Sequence, residues 1–250
     1  MKVLKFKLSG QTAFFKKPDV NSNVYFTYNS IHKVALTGMF GAILGYGGFN
    51  KFKYDMKNIK GFNEEYPEFY TKLKDIKIAI EPLNKNGVPT KKIQTFNNSV
   101  GYASQELGGN LIIREQWLEN PKWNIYLLLD SEESKKISEY IQSYRSIYQT
   151  YLGKNDHYAN ISEIEIYDIV ESKEIDIIHT LCKKYNIEFD MEDEESEEEL
   201  FKYSERLPVS LNSTTNLYEY ETFVYSNMMI ESVDENQAVY TVNNKNIVFI

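Results

Sequence analysis

Tyr28, His32 and Lys33 carry between them the groups that a metal-independent cleavage of RNA uses. One group takes the 2′-hydroxyl proton while the cation stabilises the charge developing on the phosphorane. His-Lys pairs are common by chance, so a binding or packing role comes first and cleavage is the alternative. The stretch before them, Ala13-Phe-Phe-Lys-Lys-Pro-Asp-Val-Asn21, is the densest constellation in the chain. Lys16 and Lys17 offer phosphate contacts, neighbouring aromatics such as Phe15 offer faces to unstacked bases, and Asn21 and Asn23 can hydrogen-bond base edges or 2′-hydroxyls. The plainer reading of the same residues is a surface loop with half-buried aromatics.

Other chemistry is thin. His179 falls in a stretch that reads as an amphipathic helix and is expected to be structural, and His157 ends the polar turn Gly153-Lys-Asn-Asp-His157, where exposure is expected. No Cys/His set of zinc spacing surrounds the single Cys182, the acidic run has no glycine-turned calcium loop, and no G-x-S-x-G elbow occurs. The glycines of residues 38–48 neither precede a helix nor lead into Lys-Ser/Thr, which argues against a phosphate loop. No catalytic residue, metal or cofactor is expected.

The net charge of −8 conceals a split: residues 1–130 hold 18 Lys and Arg against 11 Asp and Glu, and residues 131–250 hold 10 against 25. A polyanion meets a local surface and not the average, so the basic N-terminal part stays a candidate for nucleic acid. Hydrophobic residues at 42% are enough for a folded chain. One cysteine argues for a reducing compartment, the start does not read as a signal peptide, and the most apolar window, 34–48, is short of the ~18 residues of a membrane span. The chain reads as soluble and cytoplasmic.

The elements that must position these residues follow from period. Leu4, Phe6 and Leu8 alternate with Lys5 and Lys7, predicting a half-buried strand over 2–8. Residues 11–28 read as loop, and Asn29 or Ser30 suits a helix N-cap. Ile31, Ala35, Met39 and Ile43, with Leu36, Phe40 and Leu44, then form a helical stripe stopped at Gly47-Gly48. Gly38, Gly41 and Gly45 inside that helix each cost about 0.8–1 kcal/mol relative to Ala, which points to close packing against another backbone. Strands are predicted over 75–81, 111–117 and 123–130, with a protruding hairpin in the Asn-, Gly- and Lys-rich stretch 82–110. Ser131 starts a helix whose buried face is Ile137, Tyr140, Ile141 and Tyr144. Ile164 and Ile166 alternate, 172–185 reads as helical, and 188–199 holds nine acids in twelve residues, a solvated insertion. Strands return over 218–225, 238–242 and 247–250, the last two joined by an Asn243-Asn244-Lys245 turn. Without regular βαβ spacing, this is an α+β antiparallel design.

Residues 10–21 (GQTAFFKKPDVN), 27–33 (TYNSIHK) and 36–46 (LTGMFGAILGY) together resemble the N-terminal signature of the fifth CRISPR-associated protein family. Those proteins are type I Cascade subunits that cap the 5′ end of the guide RNA. Residues 114–121 (REQWLENP), 151–157 (YLGKNDH) and 245–249 (KNIVF) agree, and the likeness is greatest to the type I-B, Hmari-like branch. The resemblance implies one ferredoxin-like, RNA-recognition-motif-type domain over 1–250. Its antiparallel sheet would carry helices on one face, a hairpin thumb within 84–110 gripping the repeat-derived 5′ handle, and C-terminal strands, with 188–199 an acidic insertion.

On that resemblance Phe15, Lys16, Lys17, Asn21, Tyr28, His32 and Lys33 become the residues that hold the handle. The partners implied are the CRISPR RNA handle, the backbone and large Cascade subunits, and target DNA through the assembled complex, with no membrane. One branch of the family, type I-C, cleaves the guide precursor itself with a Tyr-Lys-His group, whereas in type I-B a separate endoribonuclease does so. A non-catalytic subunit is therefore implied, and a metal-independent repeat endoribonuclease is the alternative.

Overall fold

The computed structural model describes residues 1–19, 23–190 and 199–250, so Asn21 and most of the acidic run 188–199 lie outside the described residues. In chain order the elements are β1 (Lys2–Ser9), β2 (Thr12–Ala13), α1 (Lys33–Leu44), α2 (Phe49–Asn58), α3 (Glu68–Leu73), β3 (Ile78–Pro82), β4 (Thr90–Asn97), β5 (Ile112–Glu119), β6 (Lys122–Leu128), α4 (Glu132–Gln142), β7 (Asn160–Asp168), β8 (Val170–Glu171), β9 (Cys182–Lys183), β10 (Ile187–Phe189), β11 (Lys202–Leu211), β12 (Tyr218–Ser226), β13 (Ile230–Val233), β14 (Tyr240–Val242) and β15 (Lys245–Ile247). Every strand ladder among the described residues is antiparallel, in keeping with the α+β expectation.

The alternating start of the chain becomes β1, an inner strand of a four-stranded sheet ordered β3-β6-β1-β7. Leu4, Phe6 and Leu8 lie opposite Leu127, Ile125 and Trp123 of β6, and Ile78 and Ile80 of β3 lie opposite the same Leu127 and Ile125. The pleat puts all of these on one face. There α1 and α4 cover them, and Leu36, Phe40, Ile43, Ile137 and Ile141 complete a single cluster. On the other face Val3, Ala79, Tyr126 and Leu128 pack under Val242 and Ile247 of the β14–β15 hairpin. The turn of that hairpin is Asn243-Asn244, both left-handed as expected of Asn at such positions. The buried Glu81 carboxylate holds the hairpin in place, accepting from Asn124 Nδ2 at 2.8 Å, from the Tyr126 hydroxyl at 2.6 Å and from the Lys245 ammonium.

β4 and β5 pair from Thr90 opposite Glu119 to Asn97 opposite Ile112, forming a hairpin inserted between β3 and β6, and β2 adds a third short strand. The hairpin expected within 84–110 thus runs on to residue 119, because its returning arm is the strand expected over 111–117.

Three local expectations are corrected. His32 caps α1 in place of Asn29 or Ser30, its Nδ1 accepting the Ala35 N–H at 3.2 Å. Gly45, with φ 79°, ends the helix ahead of Gly47-Gly48. Residues 172–185 form no α-helix: the chain there lies along other strands, with the His179 N–H donating to the Asn246 carbonyl and the Leu181 N–H to the Ile80 carbonyl, and it passes through β9, beside Phe223 and Val224, into a short 3-10 turn. Its apolar residues are buried by neighbours and not by a helical face.

The glycine-bearing helix packs as closely as its composition predicts at one position. A Cβ on Gly41 would stand 2.5 Å from Phe69 Cβ, so α3 approaches the bare backbone of α1 there. Helix propensity alone favours Gly41→Ala by about 0.8–1 kcal/mol, but the clash is with Phe69 Cβ, which no rotamer change relieves, so overpacking is expected toward the upper end of about 1–3 kcal/mol. The variant is expected to melt several degrees below the wild type. An unchanged or raised Tm in thermal unfolding would contradict the close approach.

Candidate nucleic-acid interface

The basic-aromatic loop is a pinned, irregular hairpin. The Lys17 N–H donates to the Phe26 carbonyl at 2.8 Å, the Tyr28 N–H to the Phe15 carbonyl at 2.9 Å, and the Phe15 N–H to Thr27 Oγ1 at 3.0 Å. The hairpin is fastened sideways to β5, since the Tyr25 N–H donates to the Arg114 carbonyl and the Gln116 N–H to the Tyr25 carbonyl, each at 2.9 Å. Pairing of this kind turns alternate side chains to opposite sides. Lys16 points out and is exposed, its Nζ 3.8 Å from the Tyr25 ring centroid, while Phe15 points in at 3% exposure against Trp123 and His32.

The expected site residues therefore divide. Lys16 is free for a phosphate: among the described residues no carboxylate lies within ion-pair reach of it. Lys17 is half-buried, with Nζ 5.1 Å from the Tyr28 ring centroid and 3.0 Å from Glu205 Oε1. That carboxylate is itself buried and also accepts the Asn29 N–H at 2.9 Å and the Tyr203 hydroxyl. Phe15 and Tyr28 are core residues and present no ring face to a base. The Tyr28 hydroxyl donates to that of Tyr220 at 3.2 Å, and burial first, then this bond, pushes its pKa up. Lys33 is half-buried, and burial lowers its pKa against the pull of Asp75.

His32 does meet Tyr28, ring centroids 5.4 Å apart, but inside the protein. It is 4% exposed, ringed by Phe15, Tyr28 and Tyr218, and burial lowers its pKa from 6.5 to about 3. A neutral ring whose Nδ1 already caps a helix has neither an imidazolium proton to give nor a free basic nitrogen to take one at neutral pH.

His157 corrects the expectation of an exposed turn residue. Only 1% of it is exposed: Nδ1 lies 2.6 Å from Thr12 Oγ1, and its ring meets that of Trp117 edge-on at 4.6 Å. Burial lowers its pKa too, opposed by Asp156 and Glu115. The turn around it is polar at the surface, yet Gly153, with φ 92° and packed against the Phe14 carbonyl, folds its end inward.

Residues absent from the expected set complete the surface. Arg206 of β11 is exposed, with its guanidinium 4.9 Å from the Tyr220 ring centroid, and Lys91 of β4 is exposed with Lys17 and Glu205 as its charge neighbours. The hydroxyl contact between Tyr28 and Tyr220 links Arg206 to the loop, so Lys17, Lys91 and Arg206 come together from three distant parts of the chain, while Lys16 faces out on the other side of the same loop. No local signal marks Arg206, which stands in the acidic half. Among the described residues no group of three His, Cys, Asp or Glu side chains is placed to hold a metal, and no helix is long and apolar enough to cross a membrane.

Between pH 6.5 and 3 the unfolded chain binds a proton at His32 that the native chain does not. The stability this residue contributes is therefore complete above pH 6.5 and lost as pH falls. At pH 5 the loss from His32 alone is roughly 2 kcal/mol. His32→Asn keeps an N-cap acceptor without the titration, and His157 and His179 titrate in both proteins. Urea midpoints at pH 7 and pH 5 should fall further for the wild type than for the variant; equal losses would contradict the assignment.

Comparison with solved structures finds the same fold over almost the whole chain. A chain from a CRISPR RNA-guided surveillance complex is 11% identical with a TM-score of 0.51, covering 91% of this chain and 90% of that one. A CRISPR protein from Archaeoglobus fulgidus is 9% identical with a TM-score of 0.50, covering 99% and 98%. No family model and no curated protein sequence matches. At such identities the likeness establishes shared architecture.

Proposed function

We propose that this chain is a non-catalytic subunit of a type I CRISPR effector complex, of the I-B kind, which holds the 5′ handle of the guide RNA. The observation that carries this reading is the end-to-end likeness to a chain of an RNA-guided surveillance complex. The motif resemblance at residues 10–46, and the exposed cations Lys16, Lys91 and Arg206 on and beside the basic-aromatic loop, support it.

The strand order β3-β6-β1-β7, with α1 between β1 and β3 and α4 between β6 and β7, supports reading the domain as ferredoxin-like, with the β4–β5 hairpin as its thumb. In this reading phosphates meet Lys16, Lys91 and Arg206, the backbone and large subunits dock elsewhere on the chain, and target DNA is met only through the complex. The burial of His32 and Tyr28 favours holding over cutting, because a general acid or base must reach the proton it moves.

Lys17→Glu is a poor probe, since it would set two carboxylates against each other at Glu205. Lys16→Glu with Arg206→Glu changes exposed charges only. Binding of repeat-derived handle RNA, titrated against salt, should weaken, and the slope of log K against log salt should shrink by about 1 for each phosphate that is no longer neutralised. The same RNA incubated with wild-type protein in EDTA should stay intact. Unchanged affinity and slope would overturn the mapping, and a specific cut abolished by His32→Ala would favour the endoribonuclease.

A further inference from the structure

A groove crosses α1 beside the basic patch. Two open cavities, of about 1100 and 880 Å³, share Gly38, Ala42, Tyr148, Tyr151 and Tyr218 and so adjoin along α1. Gly38 and Ala42, four residues apart on one helical face, form the floor. One wall is the segment after α4: the Ile147 and Tyr148 N–H groups donate to the Ile43 and Ala42 carbonyls at 3.0 and 3.1 Å, which satisfies the free end of α1 and fixes Tyr148 and Tyr151 above it. The other wall is β12, where Tyr218 stands edge-on to His32 at 5.5 Å and to Tyr220 at 6.2 Å. Tyr148 is 58% exposed and Tyr151 40%.

Gly38 lacks the packing reason that Gly41 has. An added Cβ there would meet nothing closer than Phe69 Cε2 at 3.9 Å, an ordinary contact, so the fold accepts a side chain at this position. A glycine in mid-helix is nonetheless unfavourable. What its bare backbone leaves open is the groove floor.

We infer that this groove is a stacking channel for the unpaired bases of a single-stranded RNA, with Gly38 kept bare so that bases can lie against α1. The inference rests on the RNA-holding reading above and says where the strand runs. Charge admits this occupant: of the lining cations, Lys16 at one end has no ion-pair partner among the described residues, while Lys154 beside it is paired with Glu115 and Asp156 and Lys51 at the other end with Asp55. The one lining carboxylate among the described residues, Glu115, is buried and bonded to Trp117 Nε1–H and Lys154. In a chain of net charge −8, a channel with no unanswered negative charge suits a polyanion. Partly exposed tyrosines supply ring faces, which stack on any base.

The test uses single-stranded handle RNA carrying 2-aminopurine, and the same strand annealed to its complement. Wild-type protein should prefer the single strand and quench the 2-aminopurine. Gly38→Ala should raise the Tm yet weaken binding, Gly38→Leu should weaken it further, Tyr148→Leu should lose roughly five- to hundredfold in affinity with the quenching relieved, and Tyr148→Phe should retain both. If Lys16→Glu with Arg206→Glu abolishes binding while Gly38→Leu and Tyr148→Leu keep wild-type affinity and quenching, the RNA-holding reading stands and the channel is overturned. If the groove variants bind RNA normally but fail to join partner subunits, the occupant is a protein and the inference is again overturned. Absence of any wild-type binding would remove the underlying reading as well.

Discussion

A buried carboxylate is tolerated only when its charge is answered, and the charge of Glu205 is answered from the far end of the chain. Lys17 and the Asn29 backbone, from the first thirty residues, converge on this side chain of β11 together with its neighbour Tyr203. That convergence sets the path of the N-terminal loop. With Lys17 turned toward Glu205, Phe15 and Tyr28 go inward and Lys16 outward. His32 then stands where it can cap α1, and β12 is held close enough for Tyr218 to wall the groove over that helix. The same carboxylate that takes one lysine from the surface gives the others their arrangement.

Charge along the chain and charge on the surface are different maps. The basic first half and acidic second half attract each other in the folded protein: Lys5 pairs with Glu165, Lys7 with Glu163 and Lys17 with Glu205. Part of the N-terminal basicity is thus taken up by internal staples, and Lys5 and Lys7 on the sheet are not free for phosphate. The surface left over is narrower than the count of lysines implies, and it includes Arg206 from the acidic half. Specific capture on one patch fits this distribution better than general adhesion to polyanions.

What is legible in the sequence is what local periodicity determines. β1 declares itself by strict alternation, α4 by Ser131 ahead of Glu132 and Glu133, and the β14–β15 turn by paired asparagines. The stretch over 172–185 misleads because its apolar spacing is answered by strands from elsewhere and not by a helix, and α2 carries Phe49, Phe52 and Met56 at helical spacing but buries no residue. In the site, composition identifies a basic-aromatic loop but not which side of it faces in. That depends on the pairing of Lys16 with Thr27 and of Tyr25 with Glu115, a long-range register with no sequence mark. His157 misleads for the same reason: the polarity of a turn says nothing about the pocket under Trp117 that receives its last residue.

That unpaired guide RNA lies along the loop and the tyrosine-lined face of α1 is tested most directly by photocrosslinking. Handle RNA substituted with 4-thiouridine would be assembled into the complete complex and irradiated, and the adducts mapped by mass spectrometry. Adducts are expected at Lys16, Tyr25, Tyr148 or Tyr151 and Tyr220, on the patch and both walls of the groove. Adducts confined to the sheet face around Lys5 and Lys7, or none on this chain, would contradict that path.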